Sequence, residues 1–306
     1  MQQRTADATP QRLVGPQGPI LIATDMTEGA RTAAQWGHAL GMITDTPTVA
    51  THVIEPRFGG IFAKRFEPDL TDDRIEGIRG LMDIWYQETT GGEASETEVC
   101  GGHAHAALDG LARDRDARML VMSRTSKGSI QQALIGSRVQ QIAQNPPCPL
   151  AVVHPQGPPM KRGMHIAVAT DFSEASISAI RYAAHLAAKT DSTLSLVHCT
   201  FIPASENGSF DDVQEQALGT LTELCTRELE MIRAAVWSDH LGLQIDLHVR
   251  TGRAIDILLE FDQEMGVDLM VVGQTGQAST LGALLGSVPR RLLQQTVGHL
   301  VIVPRF

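Results

Sequence analysis

The residues best suited to chemistry are glycines. Gly273-Gln274-Thr275-Gly276 is followed by nine residues and then by Gly286-Ser287. Before this stretch lies Leu269-Met270-Val271-Val272, a short apolar run that suits a buried parallel strand. After it, Val288 to Gln295 has helical spacing, with Pro289 in the first turn, where a missing N–H costs little. A strand therefore ends in glycines, a loop follows, and Gly-Ser opens a helix. Glycine lets the main chain approach a ligand closely and permits positive φ. Ser287 adds a hydroxyl, and a helix N-terminus offers unpaired N–H groups at its positive end. The ligand such a turn favours is an anion, above all a phosphate.

The elements that position this stretch occur twice. Pro19-Ile-Leu-Ile-Ala-Thr-Asp25 returns 146 positions later as His165-Ile-Ala-Val-Ala-Thr-Asp171. Thr44-Asp45 returns as Thr190-Asp191 at the same offset, whereas Gly102 matches Gly252 and Gly136-Ser137 matches Gly286-Ser287 at an offset of 150. The second copy thus carries a four-residue insertion between its second and third strands. A single long-period duplication means two copies of one domain rather than a solenoid. The expected organisation is a tail over 1–18, a first domain over 19–154, a Pro/Gly-rich linker over 155–163 and a second domain over 164–306. Each copy alternates strands with amphipathic helices, which implies an α/β fold with a parallel sheet covered on both faces. In such sheets ligands bind beyond the strands' carboxyl ends, where the strand order reverses. Asp171, ending the first strand of its copy, and Gly273, ending the fourth, would face one crevice there.

Composition narrows the classes of partner. At 306 residues and 42% hydrophobic content the chain can build two cores. A net charge of -10 argues against nucleic acid and against anionic membranes. Four cysteines, Cys100, Cys148, Cys199 and Cys225, show no CxxC pair and no zinc spacing, as in reduced intracellular proteins. No stretch is long enough to cross a bilayer, and Met1 to Pro10 lacks a signal-peptide core, so a soluble, cytoplasmic protein is expected.

The aspartate after the first strand, together with Gly-x2-Gly-x9-Gly-Ser after the fourth, resembles the ATP-binding class of universal stress proteins. The resemblance spans nearly the whole chain as two tandem copies, and Asn145 to Val153 looks like the family's last strand and its approach. It implies two five-stranded parallel sheets of order 3-2-1-4-5, a Rossmann-like fold of the adenine-nucleotide alpha-hydrolase type. It also implies pairing of the two halves through their last strands as an internal pseudo-dimer; a homodimer of whole chains stays open. In the second copy, Asp171 with the backbone near Ala169 and Thr170 would contact the nucleoside, and Val197, taken as the end of the second strand, would meet the adenine. Val272, Gly273, Thr275 and Gly276 would line the ribose and phosphate side, and Gly286, Ser287 and Val288 would hold the terminal phosphates of ATP, with Mg²⁺ an optional companion.

The first copy departs from this pattern. It reads Ser123-Arg124-Thr125-Ser126, nine residues, then Gly136-Ser137, so serines replace both early glycines while Asp25 is retained. A Cβ resists positive φ and holds a phosphate further away. Two readings remain: a weakened or altered nucleotide site using Asp25, Ser123, Ser126, Gly136 and Ser137, or a structural copy that completes the pseudo-dimer, the second being preferred. Other candidates rank below plainer explanations. His103 and His105 form an HxH pair without a third ligand, His52 and His198 share a duplicated strand-end position, and no Walker A run or catalytic triad occurs. The expected function is that of an ATP-responsive regulatory or protective module in stress response with an unidentified protein partner, ahead of a slow Mg²⁺-dependent ATPase and of a scaffold that binds no nucleotide or a different small ligand.

Overall fold

The computed structural model describes residues 16–55, 71–124, 135–201, 212–240, 242–277, 285–296 and 298–305. The first half runs β1 (Ile20–Ala23), α1 (Glu28–Thr44), β2 (Thr48–Ile54), α2 (Asp72–Thr90), β3 (Glu96–Gly101), α3 (Ala104–Asp114), β4 (Met119–Ser123), α4 (Ser137–Gln144) and β5 (Leu150–Val153). The second repeats it as β6 (His165–Thr170), α5 (Glu174–Lys189), β7 (Thr193–Thr200), α6 (Asp212–Asp239), β8 (Ile245–Thr251), α7 (Ala254–Met265), β9 (Leu269–Gly273), α8 (Ser287–Gln295) and β10 (His299–Val303). The repeat is kept to the residue in its pairing. Val49 lies opposite Glu96 in the first half, and Ser195 lies opposite Asp246 in the second.

The strands form one ten-stranded sheet in the order β3-β2-β1-β4-β5-β10-β9-β6-β7-β8. Each half has the order 3-2-1-4-5 that the resemblance implies. All pairs are parallel except β5 with β10, which run antiparallel with Val301 opposite Ala151. Apolar side chains leave the sheet on alternate sides, as the period of a strand requires, and feed two buried layers. On one side, Ile22, Ala151, Val168 and Val301 pack with Trp36, Met82, Ile180 and Leu229 from α1, α2, α5 and α6. On the other, Leu21, Leu120, Ala167 and Met270 pack with Leu108, Ile142, Leu258 and Leu292 from α3, α4, α7 and α8.

Two boundary segments are tied down more firmly than their composition suggests. The backbone N–H groups of Gln17 and Gly18 donate to Asp116, at 3.0 and 2.8 Å, so the residues just before Pro19 are held against the domain. Within the Pro/Gly-rich connection Met160 is buried, and Pro158 C=O accepts from His299 Nε2 at 2.6 Å.

His299 sits at the seam between the halves. Its Nδ1 accepts the His154 backbone N–H at 3.1 Å, its ring lies edge-on to Trp36, and it is 1% exposed. Those bonds require the neutral ring, and burial pushes the pKa of both His299 and His154 down. The unfolded chain therefore takes up protons near pH 6.5 before the folded one does, so the stabilisation is complete above that pH and is lost as the pH falls below it. The melting temperature should drop between about pH 7.5 and pH 5.5. A differential scanning titration should show a shallower drop in His299→Gln, and parallel curves would rule the seam histidine out as a contributor.

Candidate functional site

Each half forms the same turn where its first strand ends. In the second, Thr170 is buried and its Oγ1 accepts the Phe172 N–H at 3.1 Å, while Asp171 Oδ1 accepts the Ser173 N–H at 3.1 Å. These bonds hold Phe172 at φ +63°, a left-handed conformation costing a non-glycine residue roughly 1–2 kcal/mol. The first half repeats the device: Thr24 Oγ1 accepts the Met26 N–H at 2.9 Å, Asp25 accepts from Thr27, and Met26 sits at φ +57°. His198 and His52, one strand over, brace the turn by bonding Thr170 C=O at 2.8 Å and Thr24 C=O at 2.9 Å. The ring of His198 also stacks on Phe172, centroids 4.3 Å apart. These histidines build the turn, as the duplication suggests.

The structure brings Asp171 onto the glycine loop. Its Oδ2 accepts the backbone N–H of Gln277 at 2.6 Å. Burial raises the carboxyl's pKa, but the hydrogen bonds from Ser173, Gln277 and Ser176 outweigh it, and the net shift is downward. Asp171 is thus an ionised carboxylate at neutral pH. The far end of the loop closes on the near end, since Gly286 N–H donates to Gln274 C=O at 2.8 Å and Gln274 N–H donates to Val303 C=O at 2.8 Å. Gly286 is the N-cap of α8, so no side chain caps that helix, and its first turn holds no acid. Ser287 is exposed at the helix start, and Val288 is half-buried behind it. Thr275 and Gly276 are half-exposed, whereas Val272 and Gly273 are buried at the end of β9. Residues 278–284 lie outside the described part.

Gly273 and Gly276 stand at close approaches, and none of the three motif glycines is set by backbone handedness. Gly273, Gly276 and Gly286 all lie outside the positive-φ region, which corrects the expectation drawn from glycine's conformational freedom. A Cβ on Gly273 would fall 2.8 Å from both the carbonyl carbon and oxygen of Ala175, in the first turn of α5. A Cβ on Gly276 would fall 2.4 Å from Asp171 Oδ2. The first clash is with main chain that cannot yield; the second is with the end of a side chain that can swing away.

Val197 is placed differently from the expectation. It lies three residues inside β7, fully buried, because the strand runs on to Thr200. On the same face the residues nearer the mouth are Ala169 and Cys199, both half-buried against the second apolar layer. Ala23 and Val53 hold the equivalent places in the first half. Burial pushes the Cys199 thiol up to about 11, so it is a neutral apolar surface rather than a nucleophile. Alternation along β7 was the available signal: counted back from Thr200, it puts Cys199, not Val197, at the crevice.

The first copy is rebuilt rather than merely lacking glycine. Ser123 Oγ donates to Gly29 C=O at 2.6 Å. Gly29 stands where the second copy has Ala175, so the small residue has changed sides of the strand–helix contact. Arg138 replaces Val288, and Glu55 replaces Phe201. These two form an ion pair, and Glu55 Oε1 also accepts the Ala104 N–H at 3.2 Å, at the start of α3. The Arg138 hydrogen bond is the main reason that the Glu55 carboxyl lies below its usual range, burial opposing it. The pair sits in a cleft of ≈ 780 Å³ lined also by His103, His105, Ser137 and Gln141. Gly136, buried, is the N-cap of α4, and its N–H donates to Arg124 C=O at 3.0 Å, as Gly286 does to Gln274. Ser126 lies outside the described residues.

A doubly wound, Rossmann-like α/β fold in two copies, with an aspartate turn after the first strand and a Gly-Ser helix start after the fourth strand of each, defines the class of protein. A family model described as "Universal stress protein family" matches residues 18–154 and again 164–304, and the chain belongs to that family. A universal stress protein of Mycolicibacterium smegmatis is 23% identical over 293 residues, covering 94% of this chain and 97% of the relative. The crystal structure of a universal stress protein from Archaeoglobus fulgidus superposes with a TM-score of 0.65 at 15% identity, covering 94% of this chain and 97% of that one. A Pseudomonas aeruginosa protein of unknown function gives a TM-score of 0.63 at 14% identity, covering 94% and 92%. These likenesses establish the shared tandem fold. Among the described residues, no helix is long and apolar enough to cross a membrane.

The two glycine clashes make a paired prediction. Gly273→Ala should destabilise the protein by about 1–3 kcal/mol, the usual cost of overpacking, because α5 must shift. Gly276→Ala should cost far less stability and instead displace the Asp171 carboxylate from the Gln277 amide. Chemical denaturation of both variants checks this; equal losses would show that Asp171 cannot move aside.

Proposed function

We propose that the second half binds ATP and that the protein acts as a nucleotide-responsive module, in the cytoplasm, whose bound state a protein partner reads. The observation that carries this is the contact of Asp171 with Gln277. It folds the glycine loop back onto the end of β6, beside a helix start without a capping side chain or an acid. The residues fit the group: Gly276 lets the loop's main chain lie against the Asp171 carboxylate, and the exposed Ser287 adds a hydroxyl donor at α8's positive end. Ala169 and Cys199 provide a half-buried apolar floor of the kind a purine base covers, in the role first given to Val197. Asp171 accepts hydrogen bonds from a nucleoside's donors. ATP brings triphosphate charge for the helix end, and Mg²⁺ would arrive on the phosphates rather than in a protein cage.

Hydrolysis is less favoured than binding. A carboxylate with a lowered pKa is well populated at neutral pH but is a weak base, so Asp171 suits recognition better than activation of a water. In the first half, the Glu55 carboxylate already pairs with Arg138 at the mouth of the cleft. A nucleotide phosphate entering there finds the Arg138 guanidinium already neutralised by Glu55, which supports a structural role for that copy.

The protein should release adenine nucleotide when purified, denatured and chromatographed, and its melting temperature should rise with added ATP. At a ligand concentration about 100-fold above Kd the stabilisation is about 2.7 kcal/mol. Gly276→Val should abolish the rise, whereas Asp25→Ala should leave most of it. Absence of both released nucleotide and a melting shift in the wild type would leave the scaffold reading standing. Phosphate release that vanishes with Gly276→Val would favour the ATPase.

A further inference from the structure

The second residue of each loop reaches into the other half. Arg124, in the first half, has its main chain fixed at the loop base: its N–H donates to Val153 C=O at 2.9 Å, and its C=O accepts from Gly136. Its side chain is 5% exposed and crosses the seam. There Nη2 donates to Gln294 C=O at 2.5 Å and Nη1 to Thr296 C=O. These are carbonyls of the last turn and C-cap of α8, the helix whose first turn forms the phosphate end of the second crevice. The pseudo-symmetric contact also exists: Gln274 Nε2 donates to Gln144 C=O at 2.9 Å, at the end of α4.

The two contacts differ in charge. α8 carries no basic residue in its own last turn. Arg124 supplies that cation from the other half, where it satisfies carbonyls that lack helical partners and opposes the negative end of the helix dipole. The neutral Gln274 gives α4 one hydrogen bond and no charge. Glutamine at 274 and arginine at 124 therefore distribute the hold unequally, and the helix held more strongly belongs to the glycine-complete copy.

We infer that Arg124 is a positioning residue, contributed by the first half, for the phosphate-binding helix of the second. This rests on the nucleotide reading and adds a purpose for the first copy: its loop base has been given over to its neighbour's site. α8 is clamped at its C-terminal turn so that its N-terminal amides stay set for an anion, and the same guanidinium complements the dipole that attracts the phosphates.

The test compares ATP with adenosine on the full chain by calorimetry. Arg124→Gln should weaken ATP about threefold or more, while adenosine, which lacks the phosphates, keeps its affinity. Arg124→Lys should recover part of the loss, because charge and one donor remain. Amide hydrogen exchange without ligand should speed up in α8 of Arg124→Gln and stay unchanged in α4. An unchanged ratio of ATP to adenosine affinity in Arg124→Gln overturns the inference even if the variant melts earlier, since plain destabilisation weakens both ligands alike. A wild-type protein that binds neither ligand would overturn the nucleotide reading itself. Exchange in α8 would then decide whether Arg124 holds the helix, and unchanged exchange would refute that as well.

Discussion

The antiparallel pairing of β5 with β10 is the constraint on which the rest depends. Both strands are buried along their whole length, Leu150–Val153 and His299–Val303, and apolar except for His299. Apart, each half would end in an uncharged open edge of the kind that templates aggregation. Joined, they make one sheet, and two apolar layers run continuously across it. The pairing also sets where the crevices lie. Because β5 and β10 run in opposite directions, the carboxyl ends of one half's strands lie beside the amino ends of the other's. The two crevices therefore open toward opposite ends of the sheet. The base of each loop comes to rest against the C-terminal turn of the other half's motif helix, which is why a residue as distant as Arg124 can touch α8.

Within this symmetric frame the two copies have diverged by compensated changes. The strand–helix contact at the end of the fourth strand accommodates one side chain, and the halves place it oppositely: Ala175 against Gly273, Ser123 against Gly29. At the helix start, Val288 has become Arg138, and Glu55 stands where the other copy has Phe201. A guanidinium and a carboxylate introduced together neutralise each other, whereas either alone would leave an unpaired charge in a partly buried cleft. The first copy thus keeps the fold, the aspartate turn and the Gly136-Ser137 helix start but pairs the arginine beside that start with its own carboxylate.

Local patterns in the chain reveal the fold, because the period of two in the strands and the helical spacing between them repeat at fixed offsets. The strand order and the joining of the halves follow from the family resemblance, and the structure agrees with both. Asp171 and the glycine loop were found together for the same reason, since a switch point places both at the carboxyl ends of neighbouring strands. Other features depend on tertiary geometry that no spacing encodes. Val197 fell one side-chain repeat too deep because β7 continues to Thr200. The purpose of Gly273 is a clash with main chain 98 residues away in sequence. Neither the Glu55–Arg138 pair, which joins a strand end to a helix start across the cleft, nor the reach of Arg124 into α8 has any local signature.

On the reading proposed above, one half of an outwardly symmetric molecule carries the working nucleotide site. Backbone amide chemical-shift mapping during titration with ATP tests it most directly. Saturable shifts are expected at Gln277, Ser287 and Val288 and around Asp171, with those around Asp25, Gly136 and Ser137 staying small. Shifts confined to the first half, or equal in both, would contradict it.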